Sequence, residues 1–238
     1  AGNTLSTSDM GSAFVNRGTI SLFGTSLEIT SSAFTNAGVL SPLTGGEFNF
    51  DGSLRVDDLG LLAGATGGTF SISGDLLGDT RNADRHIAQA GALFDGTGTA
   101  ANAQQLEVMG RDLGIDVANF SRNFVYGTLA LSSNTYLKLV DLSDNVTGTE
   151  PEAIYTNSLI VPEGATLNLN GLQLYTRAAH IGGTIVGGSI TQIPDSGPIG
   201  LAYPTPGAIS IDGQLDEWSF FARAGRSLTM AVDTGGSG

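Results

Sequence analysis

The 238-residue chain carries 10 basic and 23 acidic side chains for a formal net charge of −13, and Lys138 is its one lysine. Such a charge repels phosphate backbones and anionic lipid headgroups, so nucleic-acid and membrane-surface binding lack their usual driving force. With no cysteine, disulfides, thiol nucleophiles and thiolate metal sites are excluded, and the two histidines, His86 and His180, are too few for a histidine-based zinc site. Glycine is abundant at 35 residues, yet 40% of the chain is hydrophobic, which implies a buried core rather than a disordered tract. No apolar run approaches the ~18 residues of a membrane span, so membrane insertion is not expected. The opening residues lack a basic and then apolar leader pattern, which suggests a piece of a mature protein. An acidic, Cys-free, Gly/Ser/Thr/Asn-rich composition is associated with bacterial exteriors, so a secreted, extracellular or cell-surface location is expected.

In chain order, the first signal is a repeat. Phe14-Val-Asn16-Arg-Gly18-Thr-Ile20 returns as Phe34-Thr-Asn36-Ala-Gly38-Val-Leu40, a spacing of 34 − 14 = 20 residues. A spacing of this size is a solenoid coil length. Between the copies, Ser26-Leu27-Glu28-Ile29-Thr30 alternates apolar and polar as a half-buried strand does. Stacked coils would place Phe14 on Phe34 in an interior aromatic ladder and Asn16 on Asn36 at a corner, each amide bonding the next. Gly18 and Gly38 then follow at turns, where a positive φ is expected.

Short alternating segments continue through Glu47–Phe50, Ser53–Val56, Thr69–Ile72, Gln105–Val108, Gly127–Leu131, Tyr136–Val140, Ser158–Val161, Thr166–Leu169, Leu172–Tyr175, Gly183–Val186 and Gly188–Ile190. Turn signals at Pro162-Glu-Gly164, Asn170-Gly171 and Gly187-Gly188 separate them. No amphipathic helix is evident, which argues against βαβ folds. Two polar stretches, Asp79 to Gln89 and Arg111 to Asn123, break the rhythm and are expected to leave the coil as loops. Any specific binding is expected there. The fold class is therefore all-β, a right-handed single-stranded parallel β-helix, or β-solenoid, over residues 1–193.

Carboxylates, Arg and His in a parallel β-helix raise the question of polysaccharide lyase or hydrolase chemistry. The raw material is Asp57-Asp58, Asp141 with Asp144, Asp84 with Arg85 and His86, and Arg177 with His180. Each group follows a strand or lies in a polar loop, where Asp and Asn stabilise turns through their own side chains. No acid, base and charge neutraliser can be assembled from the local spacing, so no catalytic residue and no obligatory cofactor are assigned. Calcium is the one ion considered from the residues themselves, with Asp141 and Asp144 as candidates. Tyr126, Tyr136 and Tyr155 are candidate exposed aromatics for stacking on surface glycans, against a competing role in strand packing.

Four of the seven prolines fall between Pro194 and Pro206, so residues 194–206 read as a stiff linker. Beyond it, Gly207, Ile209, Gly213, Asp216, Trp218, Phe220, Ala224 and Gly225 resemble the opening of the bacterial pre-peptidase C-terminal domain. That resemblance implies a β-sandwich and a calcium role for Asp216. Residues 207–238 are fewer than the ~100 of a typical sandwich, so the module is expected to be partial. The segment Asn134–Asp141, with Ala153-Ile-Tyr155 and Ser158–Gly171, resembles repetitive regions of very large planctomycete-type surface proteins. The F-x-N-x-G motif is similar to filamentous-haemagglutinin and autotransporter adhesin passengers. These resemblances imply export, a large parent protein and a structural or adhesive role. Open solenoid ends further predict self-association or contact with neighbouring repeats.

Overall fold

A computed structural model describes residues 3–5, 14–81, 89–146 and 150–193. After β1 (Asn3–Leu5), a first coil holds β2 (Phe14–Asn16), β3 (Thr19–Leu22) and β4 (Ser26–Ile29). The second holds β5 (Ala33–Asn36), β6 (Val39–Pro42) and β7 (Glu47–Phe50), and the third β8 (Ser53–Val56), β9 (Leu61–Leu62) and β10 (Thr69–Ile72). There follow β11 (Leu76–Gly78) with β12 (Gly91–Phe94), then β13 (Gln104–Glu107), β14 (Gly110–Arg111) and β15 (Val125–Leu131). The last coils pair β16 (Tyr136–Val140) with β17 (Glu152–Val161), β18 (Thr166–Asn168) with β19 (Gln173–Ile181), and β20 (Thr184–Val186) with β21 (Thr191–Gln192).

Each strand lies on its counterpart from the coil before. One sheet runs β1-β4-β7-β10-β12-β15-β17-β19-β21, a second β2-β5-β8-β11-β13-β16-β18-β20, and a third β3-β6-β9. All these pairings are parallel, and among the described strands only β14 pairs antiparallel, with β17. The described chain is thus the β-solenoid that the repeat predicts. The proline-rich segment 194–206, the module 207–238 with Asp216, and the Asp84-Arg85-His86 group all lie outside the described residues.

Period-two alternation builds the walls. In β7 the side chains of Phe48 and Phe50 are buried while Glu47 and Asn49 are partly exposed, and β8, β12 and β13 repeat the scheme with Leu54, Phe94 and Leu106. Stacking coils then sets like on like: Phe14 and Phe34 lie with ring centroids 5.0 Å apart, and Phe48 and Phe70 5.7 Å apart, both stacked. The predicted amide ladder is present, with Asn16 Nδ2 donating to Asn36 Oδ1 at 2.8 Å. It ends there, because Asn36 is in register with Val56 and its Nδ2 turns to Leu61 O instead, at 3.1 Å.

The two glycines of the repeat do something other than predicted. Neither Gly18 nor Gly38 has a positive φ. Gly38 is required because a Cβ there would collide with the backbone carbonyl of Gly18 in the coil beneath, whereas a Cβ on Gly18 would find its nearest neighbour, Asn16 Oδ1, at 3.9 Å. The left-handed conformation occurs instead at other turns, including the successive Asn170 and Gly171, with φ of 53° and 82°.

Coil length is not constant. Leu167 and Ile185 are paired across 185 − 167 = 18 residues, Ala92 and Leu129 across 129 − 92 = 37. Two strands also exceed their sequence pattern. Although the sequence pattern starts a strand at Ser158 and ends one at Tyr175, β17 begins at Glu152 and β19 continues to Ile181. Both strands round a corner where Thr156 Oγ1 donates to Ser158 O at 2.8 Å and Thr176 Oγ1 to Ala178 O at 2.6 Å. A hydroxyl that reaches past one bent residue satisfies a carbonyl that the ladder leaves over. The predicted strand Gly188–Ile190 is absent, and β21 at Thr191–Gln192 occupies its side of the coil.

Candidate functional site

The excursion 111–123 leaves the wall as expected and then folds back over it. Asn123 clasps its base: Oδ1 accepts from Arg111 N at 2.9 Å and Nδ2 donates to Arg111 O at 2.7 Å. A short 3-10 helix, Val117–Ser121, is capped by Asp116, whose Oδ1 accepts from Ala118 N at 2.9 Å. Beneath the excursion, Phe120, Val125, Ala153, Tyr155, Tyr175 and Ile193 form an apolar cluster separate from the interior core.

Tyr155 and Tyr175 stack with centroids 4.8 Å apart, and Phe120 meets Tyr155 edge-on at 5.3 Å. The Tyr155 hydroxyl accepts from Leu113 N at 3.0 Å and donates to Gly114 O at 3.1 Å, while Tyr175 donates to Asp112 Oδ1 at 2.9 Å. Burial pushes the Tyr155 phenol well above its ordinary range. Burial, then the bonded Asp112 carboxylate and its charge, raise Tyr175 to about 12. Tyr155 and Tyr126 are therefore corrected from exposed to buried: one is roofed by the excursion, the other is interior. Tyr136 stays partly exposed and receives a 3.3 Å bond from Asn168 Nδ2.

Between the excursion and the outer face of the largest sheet lies an open groove of about 620 Å³. Thr66, Thr69, Gln89, Ser121, Thr128 and Asn157 are the polar residues that line it, together with four glycines and Phe120. None of the described residues lining it is ionisable. The described lining offers hydrogen bonds to a neutral polar ligand.

The acidic candidates from the sequence lie elsewhere. Asp57 stabilises a turn, its Oδ1 accepting from Asp58 N at 3.0 Å and its carbonyl from Gly60 N at 2.7 Å. Asp141 and Asp144 are both exposed, and among the described residues no three Asp, Glu or His side chains converge as a metal group. Arg177 sits over the Phe120 ring, 5.5 Å from its centroid, and His180 is exposed.

Two ionisable residues that sequence reasoning passed over, Glu107 on β13 and Glu152 at the start of β17, are buried and bonded to the connection that contains Asp141 and Asp144. Glu107 accepts at Oε1 from Leu142 N at 2.7 Å and Ser143 N at 2.9 Å, and Glu152 Oε1 accepts from Asn145 N at 2.6 Å. Loss of water raises the pKa of both. Glu152 reaches about 7, with backbone bonds from Asn145 and Val146 opposing and the charges of Asp141 and Glu107 adding. Glu107 reads from sequence as one polar position in an alternating strand. Its burial follows from a turn that begins some thirty-five residues later, at Leu142.

Against this geometry the comparisons are silent: the chain matches no family model, no curated protein and no solved structure. The fold therefore rests on the strand register, and the function on physical argument. Among the described residues no helix is long and apolar enough to cross a membrane.

Proposed function

We propose that the chain is a structural segment of a large secreted or cell-surface bacterial protein, a rigid β-solenoid rod that continues by further coils or by meeting another molecule at its ends. The observation that carries this reading is the parallel register of the two long sheets, which run from β1 and β2 to β21 and β20, strands with one described neighbour each, while the third sheet spans only β3, β6 and β9. An unpaired strand edge is a template for another strand, and a solenoid satisfies it by stacking. The acidic charge keeps such a structure soluble, and the resemblances to surface-protein repeats and adhesin passengers point the same way.

Sedimentation equilibrium of the 238-residue chain tests this reading. Concentration-dependent association is expected, and a strictly monomeric species at high concentration overturns end-to-end assembly.

A second reading, glycan binding, is favoured by the groove beside the excursion, whose lining of hydroxyl and amide groups suits a neutral sugar better than it suits bond cleavage. On a glycan array a bound ligand should be lost in Gly91→Leu, since a Cβ there enters the groove at ordinary contact distance, 3.6 Å from Thr128. Blank arrays remove this reading.

A further inference from the structure

Where the connection from β16 to β17 crosses the wall, two carboxyls grip one short turn. Glu107 Oε1 accepts from Leu142 N and Ser143 N, and Glu152 Oε1 accepts from Asn145 N. Both residues are buried, at 0% and 6% relative exposure. Because Ser143 and Asn145 are two residues apart, the bonded oxygens lie within about 13 Å of each other. Asn145 adds to the grip through Nδ2, which donates to Thr80 O at 2.9 Å and to Gly78 O at 3.4 Å.

The second oxygen of each carboxyl, Glu107 Oε2 and Glu152 Oε2, is buried with no hydrogen-bond partner among the described residues, and so is Asn145 Oδ1. An ionised carboxylate there would hold a charged oxygen away from both water and donors, which low-dielectric surroundings penalise heavily. A protonated carboxyl keeps Oε1 as the acceptor for the turn and makes Oε2 a donor in a neighbourhood of spare acceptors. The closed turn therefore favours the neutral form.

The charges around the pair do not reverse this preference. Asp141, exposed in the turn itself, adds negative potential at both carboxyls, and Glu107 adds to it at Glu152. Arg55 opposes at Glu107 but is ion-paired with Asp79. Arg111 stands opposite Glu152 in the pairing of β14 with β17, Lys138 opposite Gln105 in that of β13 with β16, and exposed Glu150 precedes Glu152 by two residues. The Tyr126 phenol, which feels the charge of Glu107, is buried and stays neutral. With these groups in place both acids are raised, by burial first of all, and Glu152 reaches about 7.

We propose that the 141–146 turn is a pH-sensitive latch, closed while Glu107 and Glu152 are protonated and released as they ionise. Release returns both carboxylates to water and frees the amides of Leu142, Ser143 and Asn145, while the strands beneath stay paired through their own ladders. The closed state binds protons more tightly than the open one, so the latch holds most firmly below the ordinary carboxyl range and loosens as pH rises through about 7.

Hydrogen exchange of the full chain between pH 5 and pH 8 tests the latch, read by mass spectrometry as protection factors corrected for the intrinsic pH dependence of exchange. Protection of a peptide spanning 141–146 is expected to fall by on the order of 50-fold over that range, and to lie below that of a peptide spanning 47–56 at every pH. Glu152→Gln, neutral and nearly the same shape, should reduce the pH response several-fold. The double variant Glu107→Gln, Glu152→Gln should abolish it. Protection at 141–146 that stays flat from pH 5 to pH 8 in the unaltered chain overturns the proposal without recourse to a variant. A response left intact by Glu152→Gln does so too, as does a turn that exchanges no sooner than the 47–56 peptide.

Discussion

Gly38 and Gly18 occupy the same place in consecutive repeats yet face different constraints. A methyl group on Gly38 meets the Gly18 carbonyl, so Gly38→Ala must push two coils apart, while Gly18→Ala enters nearly open space. Urea unfolding is expected to show a loss of more than about 1 kcal/mol for the first and well under that for the second. Glu152 provides a second residue-scale prediction. Its folded pKa of about 7 exceeds the ordinary 4.5, so folding favours its protonated form. That contribution is fully present below the unfolded value and is lost as pH rises through the folded one. The protein should resist urea better at pH 5 than at pH 8, by on the order of 2–3 kcal/mol from this group. Glu107 shifts in the same direction, with Asp141 adding to its burial and Arg55 opposing it. Glu152→Gln should flatten most of the slope.

At the scale of elements, the excursion 111–123 behaves as a lid sewn to the wall by a few polar contacts. Tyr155→Phe keeps the stacked ring and removes both hydroxyl bonds, to Leu113 and Gly114. Each such bond contributes about 0.5–1.5 kcal/mol, little against a whole solenoid but much for a loop. Limited proteolysis should therefore cut faster within 111–123, while far-UV circular dichroism stays unchanged. Equal loss of cooperative unfolding and loop protection would mean that the excursion is integral to the rod. The long strands β17 and β19 supply the surface on which it rests: because they start before the corner, Ala153, Tyr155 and Tyr175 sit on an outer face that needs a cover.

At the scale of the whole molecule, the end-to-end association proposed above turns on the edge of the last described coil. Ile193 N donates to Thr176 O, so strand alternation turns the Gln192 N–H toward the open side of the last described coil. Gln192→Pro removes that donor without taking a bond from the ladder, and is expected to weaken self-association several-fold in sedimentation while leaving the melting midpoint within about 2 °C. Association undiminished by the substitution would place the contact at the β2 and β3 end or away from the edges.

The repeat was legible because a solenoid writes its geometry locally. Each coil stacks on the last, so Phe14 and Phe34 recur where the rings must meet, Asn16 and Asn36 where the amides bond, and alternation along Glu47–Phe50 marks inside from outside. Tertiary structure alone decided which outward positions are covered. Nothing near Glu107 or Tyr155 in the chain announces the turn at 142–146 or the excursion at 111–123 that buries them, because those segments close over the wall from distant positions. The same holds for Gly38, whose need is a carbonyl twenty residues earlier rather than its own dihedral angle. Periodicity along the chain determines the stacked coils, and contacts between distant segments determine which of their outward positions are buried.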